Sequence, residues 1–158
     1  MGFEHCDLDE NGRPILAVKS SDGRHFELLC SFDYVAGDGR RFRAPIGATS
    51  DGASTPPELW SLMGEQWLAP FGTYWPAVFI HDGGYQNWLQ LVDHSDNISP
   101  ANISPANLTK DQADELCKEI MEVLNVKIGE RSAIYEGVHL LGWRAFREDR
   151  EAAATVSN

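Results

Sequence analysis

The apolar residues of this chain change period partway along it, which excludes both an all-helical and an all-strand fold. Phe26, Leu28, Cys30, Phe32 and Tyr34 alternate at every second position in HFELLCSFDYV, the pattern of a half-buried strand. Phe42, Ala44 and Ile46 resume the alternation after the AGDGR turn. From position 74 the spacing is helical: Ala77, Val78, His81, Tyr85, Trp88, Leu89 and Val92 share one face at about 3.6 residues per turn, which predicts a long helix within 74–92. The expected class is therefore α+β, an N-terminal antiparallel β meander followed by a helical region with an antiparallel helix pair. A length of 158 residues suits one domain over 1–150, with a disordered tail, EAAATVSN, over 151–158.

Turn and cap residues divide the rest. RPILAVKS reads as a short strand closed by the Asp-Gly turn of SDGR. Thr55, Pro56 and Glu58 make a capping box with proline at the first helical position. Thr109 and Gln112 make a second box, opening a helix with Ala113, Leu116, Cys117, Ile120 and Leu124 on one face. The repeated NISPA of NISPANISPANL has loop composition. KIGERSAIYEGVHLLGWRAFRED reads as one last helix.

A net charge of −11 opposes nonspecific binding to nucleic acid, whose phosphates would be repelled. The local basic run GRRFR (Arg40, Arg41, Arg43) is read as a solvated strand end. Cys6, Cys30 and Cys117 form neither a disulfide framework nor a CxxC zinc pair, which fits reduced thiols and a cytoplasmic setting. The N-terminus lacks the apolar core of a secretory signal, and no run approaches the length of a membrane span.

The chemistry concentrates in AVFIHDGGYQN. His81 and Tyr85, four residues apart, project from one helix face, and Asp82 is offset from His81 by about 100°. An imidazole there can act as a general base toward water. The adjacent carboxylate can hold a divalent cation, calcium being favoured by its preference for oxygen ligands. A histidine base works best when an acceptor holds its second nitrogen, and Asp114 is the candidate, with Tyr85 donating to the same carboxylate. The catalytic set is then His81, Asp114 and Tyr85. Asp82 and Asp51 are candidate metal ligands, and Ser54 and Thr55, in ATSDGASTPPELW, candidate substrate contacts. A tight turn followed by a helix cap explains Asp51, Ser54 and Thr55 as well. His139, near Tyr135 and Trp143, is read as a packed core or flank residue. Gly83 and Gly84 each cost about 1 kcal/mol in a helix relative to alanine. Gly84 lies on the His81 side and can admit a close neighbour or a ligand; Gly83 has no assigned reason.

APIGATSDGASTPPELW, YWPAVFIHDGGYQ and TKDQADELCKEIMEVLNV together resemble the domain of unknown function 1353 family of phages and bacteria, over about 44–143. The resemblance rests on D-G-A-S-x-P, H-D-x-x-Y and the A-D of the later helix. It implies a phage or prophage origin, hence a host cytoplasm, and no established activity. H-D-x-x-Y followed by a helical A-D is also similar to the core of the phospholipase A2 superfamily. That resemblance implies His81 as the water-activating base, Asp82 as a calcium ligand, Asp114 as the residue orienting the histidine and Tyr85 as the supporting hydroxyl. The cysteines that brace the secreted enzymes are absent here, and SDGAS stands in place of their Gly-rich calcium loop. The leading expectation is a metal-assisted hydrolase of ester or amide bonds with a small-molecule or lipid-like substrate. The rival is a noncatalytic phage accessory or host-interaction protein, with a protein partner, in which the His/Tyr/Asp cluster is structural.

Overall fold

The computed structural model describes residues 1–21, 25–50, 73–93 and 100–156. Over these the order is β1 (Gly2–Glu4), β2 (Val18–Lys19), β3 (Phe26–Leu28), β4 (Phe32–Val35), β5 (Arg41–Ala44), β6 (Thr49–Ser50), α1 (Trp75–Gln86), β7 (Gln90–Val92), β8 (Ile103–Pro105), α2 (Lys110–Val123), α3 (Ile128–Leu141) and α4 (Trp143–Val156). One sheet has the order β1-β4-β5-β7-β8 and a smaller one β2-β3-β6, with every pairing antiparallel. The α+β expectation holds: N-terminal strands lead into helices, and α1 packs closely on α2. The helix expected from Thr55 lies outside the described residues.

The meander is more divided than its periodicity suggests. HFELLCSFDYV is two strands in different sheets, and the chain bends between Leu28 and Phe32. Phe26, Leu28, Phe32 and Tyr34 are buried while Cys30, at the bend, is exposed. Alternation passes through the bend without a phase error, so the period could not reveal it. Ile46, beyond β5, is also exposed. The basic run is not simply solvated. Arg43 grips the buried Asp33 with two bonds of 2.6 and 2.8 Å, and Arg41 reaches Glu4 at 2.7 Å. Only Arg40, paired with Asp38 at 2.6 Å, is an exposed contact. Asp33 and Arg43 face each other across β4 and β5, so a carboxylate at a core position demands a bidentate partner.

The helix expected within 74–92 runs over Trp75–Gln86, short of the last three residues assigned to its face. Asn87 takes a left-handed φ of 62° and reverses the chain. Trp88, Leu89 and Val92 therefore leave the predicted helix face, and Gln90–Val92 becomes β7, paired with β5. The indole of Trp88 folds back over Gly83, where a Cβ would lie 2.5 Å from the ring. That gives Gly83 its reason. The NISPA segment, read as loop, supplies the outermost strand β8, with Leu91 opposite Ser104. Pro105 is tolerated because an edge strand has one unpaired side. The last predicted helix breaks at Gly142 into α3 and α4, and α4 continues to Val156.

Within α1, Trp75 to His81 and Gly83 to Tyr85 are buried, so this helix is enclosed on almost all sides. Its partner α2 begins with the predicted capping box, Gln112 N–H to Thr109 Oγ1 and Thr109 N–H to Gln112 Oε1. Ala113, Leu116, Cys117, Ile120 and Leu124 are all buried, as their spacing predicts. The two helices meet at Gly84, where an added Cβ would come 2.8 Å from the Ala113 methyl. Gly84→Ala therefore forces α2 outward, at about 1–3 kcal/mol against a propensity gain of about 1 kcal/mol. Thermal unfolding should show a lower Tm; a Tm at or above that of the parent would mean the helices are not held at this contact.

Candidate functional site

The close approach at Gly84 sets the side chains of α1 and α2 within hydrogen-bond reach one turn away. His81 Nε2 lies 3.0 Å from Asp114 Oδ1, and Tyr85 donates its hydroxyl to the same oxygen at 2.8 Å. The two rings lie against each other, 4.1 Å between centroids. The other oxygen, Oδ2, accepts from Lys110 Nζ at 2.6 Å and lies 3.2 Å from His139 Nδ1. Lys110 also donates to the His139 carbonyl at 2.9 Å. Asp114 and Lys110 are sealed, His81 is 6% exposed, and the side chain of His139 is 44% exposed. The cluster thus runs from the interior to the surface.

An ionised carboxylate only accepts hydrogen bonds, so His81 Nε2 carries the proton and Nδ1 is the nitrogen left to act. Nδ1 faces Asp82 Oδ1 at 3.5 Å, too long for a strong bond. Asp82 Oδ2 accepts from Ser50 Oγ at 2.5 Å, tying the middle of α1 to β6. Burial pulls the His81 pKa down, but hydrogen bonds to Asp114 and Asp82 and the charges of both carry it above the ordinary value. Burial pushes Asp114 up, and the bonds from His81, Lys110 and Tyr85 outweigh it, leaving its pKa at about 2. Burial first, then the charge of Asp114, raise the Tyr85 phenol so far that it stays a donor. Cys117, below the cluster, is raised by burial and is not a nucleophile.

Two places offer metal-ligand chemistry among the described residues. Ligand atoms of Asp111, Asp114 and His139 lie within 4.8 Å of one another. The Lys110 ammonium already occupies Asp114 Oδ2, so a second cation there would be repelled, and this triad does not fit a metal. Asp82 and Ser50 instead present a carboxylate and a hydroxyl, oxygen donors suited to a hard cation.

Of the residues proposed from sequence, His81, Tyr85 and Asp114 are in direct contact and Asp82 is beside them. Asp51, Ser54 and Thr55 lie outside the described residues. Sequence reasoning missed Lys110 and misread His139, which joins the cluster through Asp114 and stacks on Tyr135 rather than simply packing. Lys110 left a trace. A cation at the first position of a helix opposes the helix dipole, and an aspartate four residues on supplies the reason for it. His139 left none, because only the turn from α2 to α3 brings it near.

Residues 26–138 match the model of a family described as Protein of unknown function (DUF1353). No curated protein and no solved structure matches the chain.

Asp114 makes stability depend on acid. Its folded pKa of about 2 lies below the unfolded value of about 3.9, so its contribution is full above pH ~4 and is lost as pH falls through about 2. Asp114→Asn should cost about 3–5 kcal/mol near neutrality, because it strands the Lys110 charge. Urea unfolding at stepped pH should show the gap from the parent narrowing by about 2 kcal/mol between pH ~5 and ~2. A constant gap would show that the carboxylate is not depressed.

Proposed function

The chain belongs to the DUF1353 family, and from that premise we propose that it hydrolyses ester or amide bonds with His81 as general base. The observation that carries this reading is the two-sided environment of one imidazole. Its Nε2–H is tied to a buried, ionised Asp114, and its Nδ1 is turned toward a half-buried carboxylate at the edge of the helix. In the proposed reaction Nδ1 takes a proton from water as the water oxygen bonds to the substrate carbonyl carbon. The imidazolium so formed is stabilised through Nε2–H by Asp114. Collapse of the tetrahedral intermediate breaks the bond to the leaving group, which receives the proton from Nδ1. Tyr85 donates to the same Asp114 Oδ1 and so restrains the oxygen that faces Nε2.

Asp82, with Ser50 beside it, is the proposed place for a divalent cation, calcium favoured. When bound, such an ion supplies positive charge to the carbonyl oxygen. The phospholipase A2 superfamily resemblance assigns the same roles to His81, Asp82, Asp114 and Tyr85, which supports a lipid-like ester as the substrate class. The family resemblance supports a phage or prophage product acting in the host cytoplasm. None of the described helices is long and apolar enough to cross a membrane.

The second reading, a noncatalytic accessory or host-interaction protein with a structural cluster, is favoured by one observation. Asp114, Lys110, Tyr85 and His81 are all buried, as a packing network would be.

The readings separate on His81→Gln. Assayed on chromogenic esters and on phospholipid vesicles with calcium, hydrolysis should fall by about 10²–10⁴ while the circular dichroism spectrum is kept. A lowered Tm with no hydrolysis by either protein would establish the structural reading. In the metal-free protein the His81 ring, followed by NMR, should titrate above the ordinary histidine value of about 6.5, because Asp114 and Asp82 favour the imidazolium. A titration below that value would show that the two carboxylates do not hold the ring as placed. Asp82→Asn should abolish any dependence on added calcium.

A further inference from the structure

Lys110 is the most unusual group in the cluster. It is the first residue of α2 and is 1% exposed, so its ammonium has lost its water and sits where the helix dipole disfavours it. It makes three contacts: Asp114 Oδ2 at 2.6 Å, the His139 carbonyl at 2.9 Å, and the face of the Trp143 ring at 5.4 Å. Space for it is kept by Gly142, where a Cβ would come 3.3 Å from Lys110 Cε and 2.5 Å from the Tyr85 hydroxyl. The backbone between α3 and α4 thus closes over both residues without a side chain.

The consequence concerns the geometry of Asp114. His81 and Tyr85 both use Oδ1, which requires the carboxylate plane to stay fixed. A carboxylate held only through one oxygen turns about its Cβ–Cγ bond, a broad and soft torsion. On Oδ2 the available donors are Lys110 and His139. The imidazole of His139 is longer, at 3.2 Å, and half in solvent. The ammonium is short, buried and a permanent donor, and it stands on the same helix as Asp114, one turn earlier.

We propose that Lys110 is a positioning residue of the His81 site: by holding Asp114 Oδ2 it fixes the carboxylate plane and aims Oδ1 at His81 Nε2. Its place in a reaction rests on the hydrolase reading; its action on the His81–Asp114 bond does not.

The test is proton NMR of the His81 ring N–H, assigned by its loss in His81→Gln. A bond to a buried carboxylate should give the wild-type proton a low-field, slowly exchanging signal. Lys110→Met keeps the apolar stem and removes the ammonium. In this variant the signal should vanish or exchange about tenfold faster, as for a locally opened bond. A wild-type protein lacking the signal, or a folded variant in which it is unchanged, overturns the proposal. Should Lys110→Met fail to fold, Lys110→Met/Asp114→Asn decides. Recovery of a folded protein that melts cooperatively shows that Lys110 acts through the Asp114 charge, and no recovery makes it a packing residue and refutes the role. If the wild type hydrolyses esters, a folded Lys110→Met should lower kcat with little change in KM, and an unchanged kcat overturns the positioning role. If the wild type hydrolyses nothing, the hydrolase reading fails alone, and the NMR result still decides for or against Lys110.

Discussion

A single buried carboxylate organises the helical half of this protein. Asp114 is excluded from solvent and is met by groups from three helices: His81 and Tyr85 from α1, Lys110 from its own α2, and His139 from α3. A buried charge without partners would cost several kcal/mol, so the helices are held in the one arrangement that supplies them. The interaction is also directional. Its two oxygens are used differently, Oδ1 toward the α1 pair and Oδ2 toward Lys110 and the surface. That asymmetry turns a charge-neutralising cluster into one that distinguishes the two nitrogens of His81.

The apolar framework serves the same arrangement. Gly84 lets α1 and α2 approach until Ala113 meets the helix backbone, and this brings Asp114 to the imidazole. On the far side, Arg150 of α4 donates to the carbonyls of Gly84 and Leu108 and to Asn87, closing the C-terminal end of α1. Phe146 of α4 sets its ring edge-on to Tyr85. The strands matter to the site mainly through β6, whose Ser50 bonds Asp82. Each of these contacts restrains either the position of α1 or the orientation of a side chain upon it.

Much of this was legible in the residues and some was not, for physical reasons. Helical spacing placed His81 and Tyr85 on one face, and the rule that buried histidines need an acceptor singled out Asp114, which was itself marked by a capping box and an apolar stripe. The end of α1 was misjudged because Trp88, Leu89 and Val92 continue the helical period by coincidence. The left-handed turn at Asn87 has only a weak sequence signal. The two-sheet division of HFELLCSFDYV was hidden because a bend that preserves side-chain alternation leaves the pattern intact. Arg43 looked solvated because its partner, Asp33, lies across a strand pair rather than along the chain.

Local chemistry alone therefore determined the class of the fold, the cap of α2, the apolar stripes, and the identity of the residues able to do acid–base work. These depend on neighbours within a turn or a strand, which the order of residues specifies directly. Tertiary structure alone decided which oxygen of Asp114 meets which donor, why Gly83 and Gly84 are glycines, and that Lys110 and His139 belong to the cluster. The contacts of Asp114 with His81, Tyr85 and His139 join segments 25 or more positions apart, whereas Gly83 with Trp88 and Lys110 with Asp114 are nearer in the chain. Such distances follow from how closely helices can pack, a property of the assembled side chains and not of any one stretch of sequence.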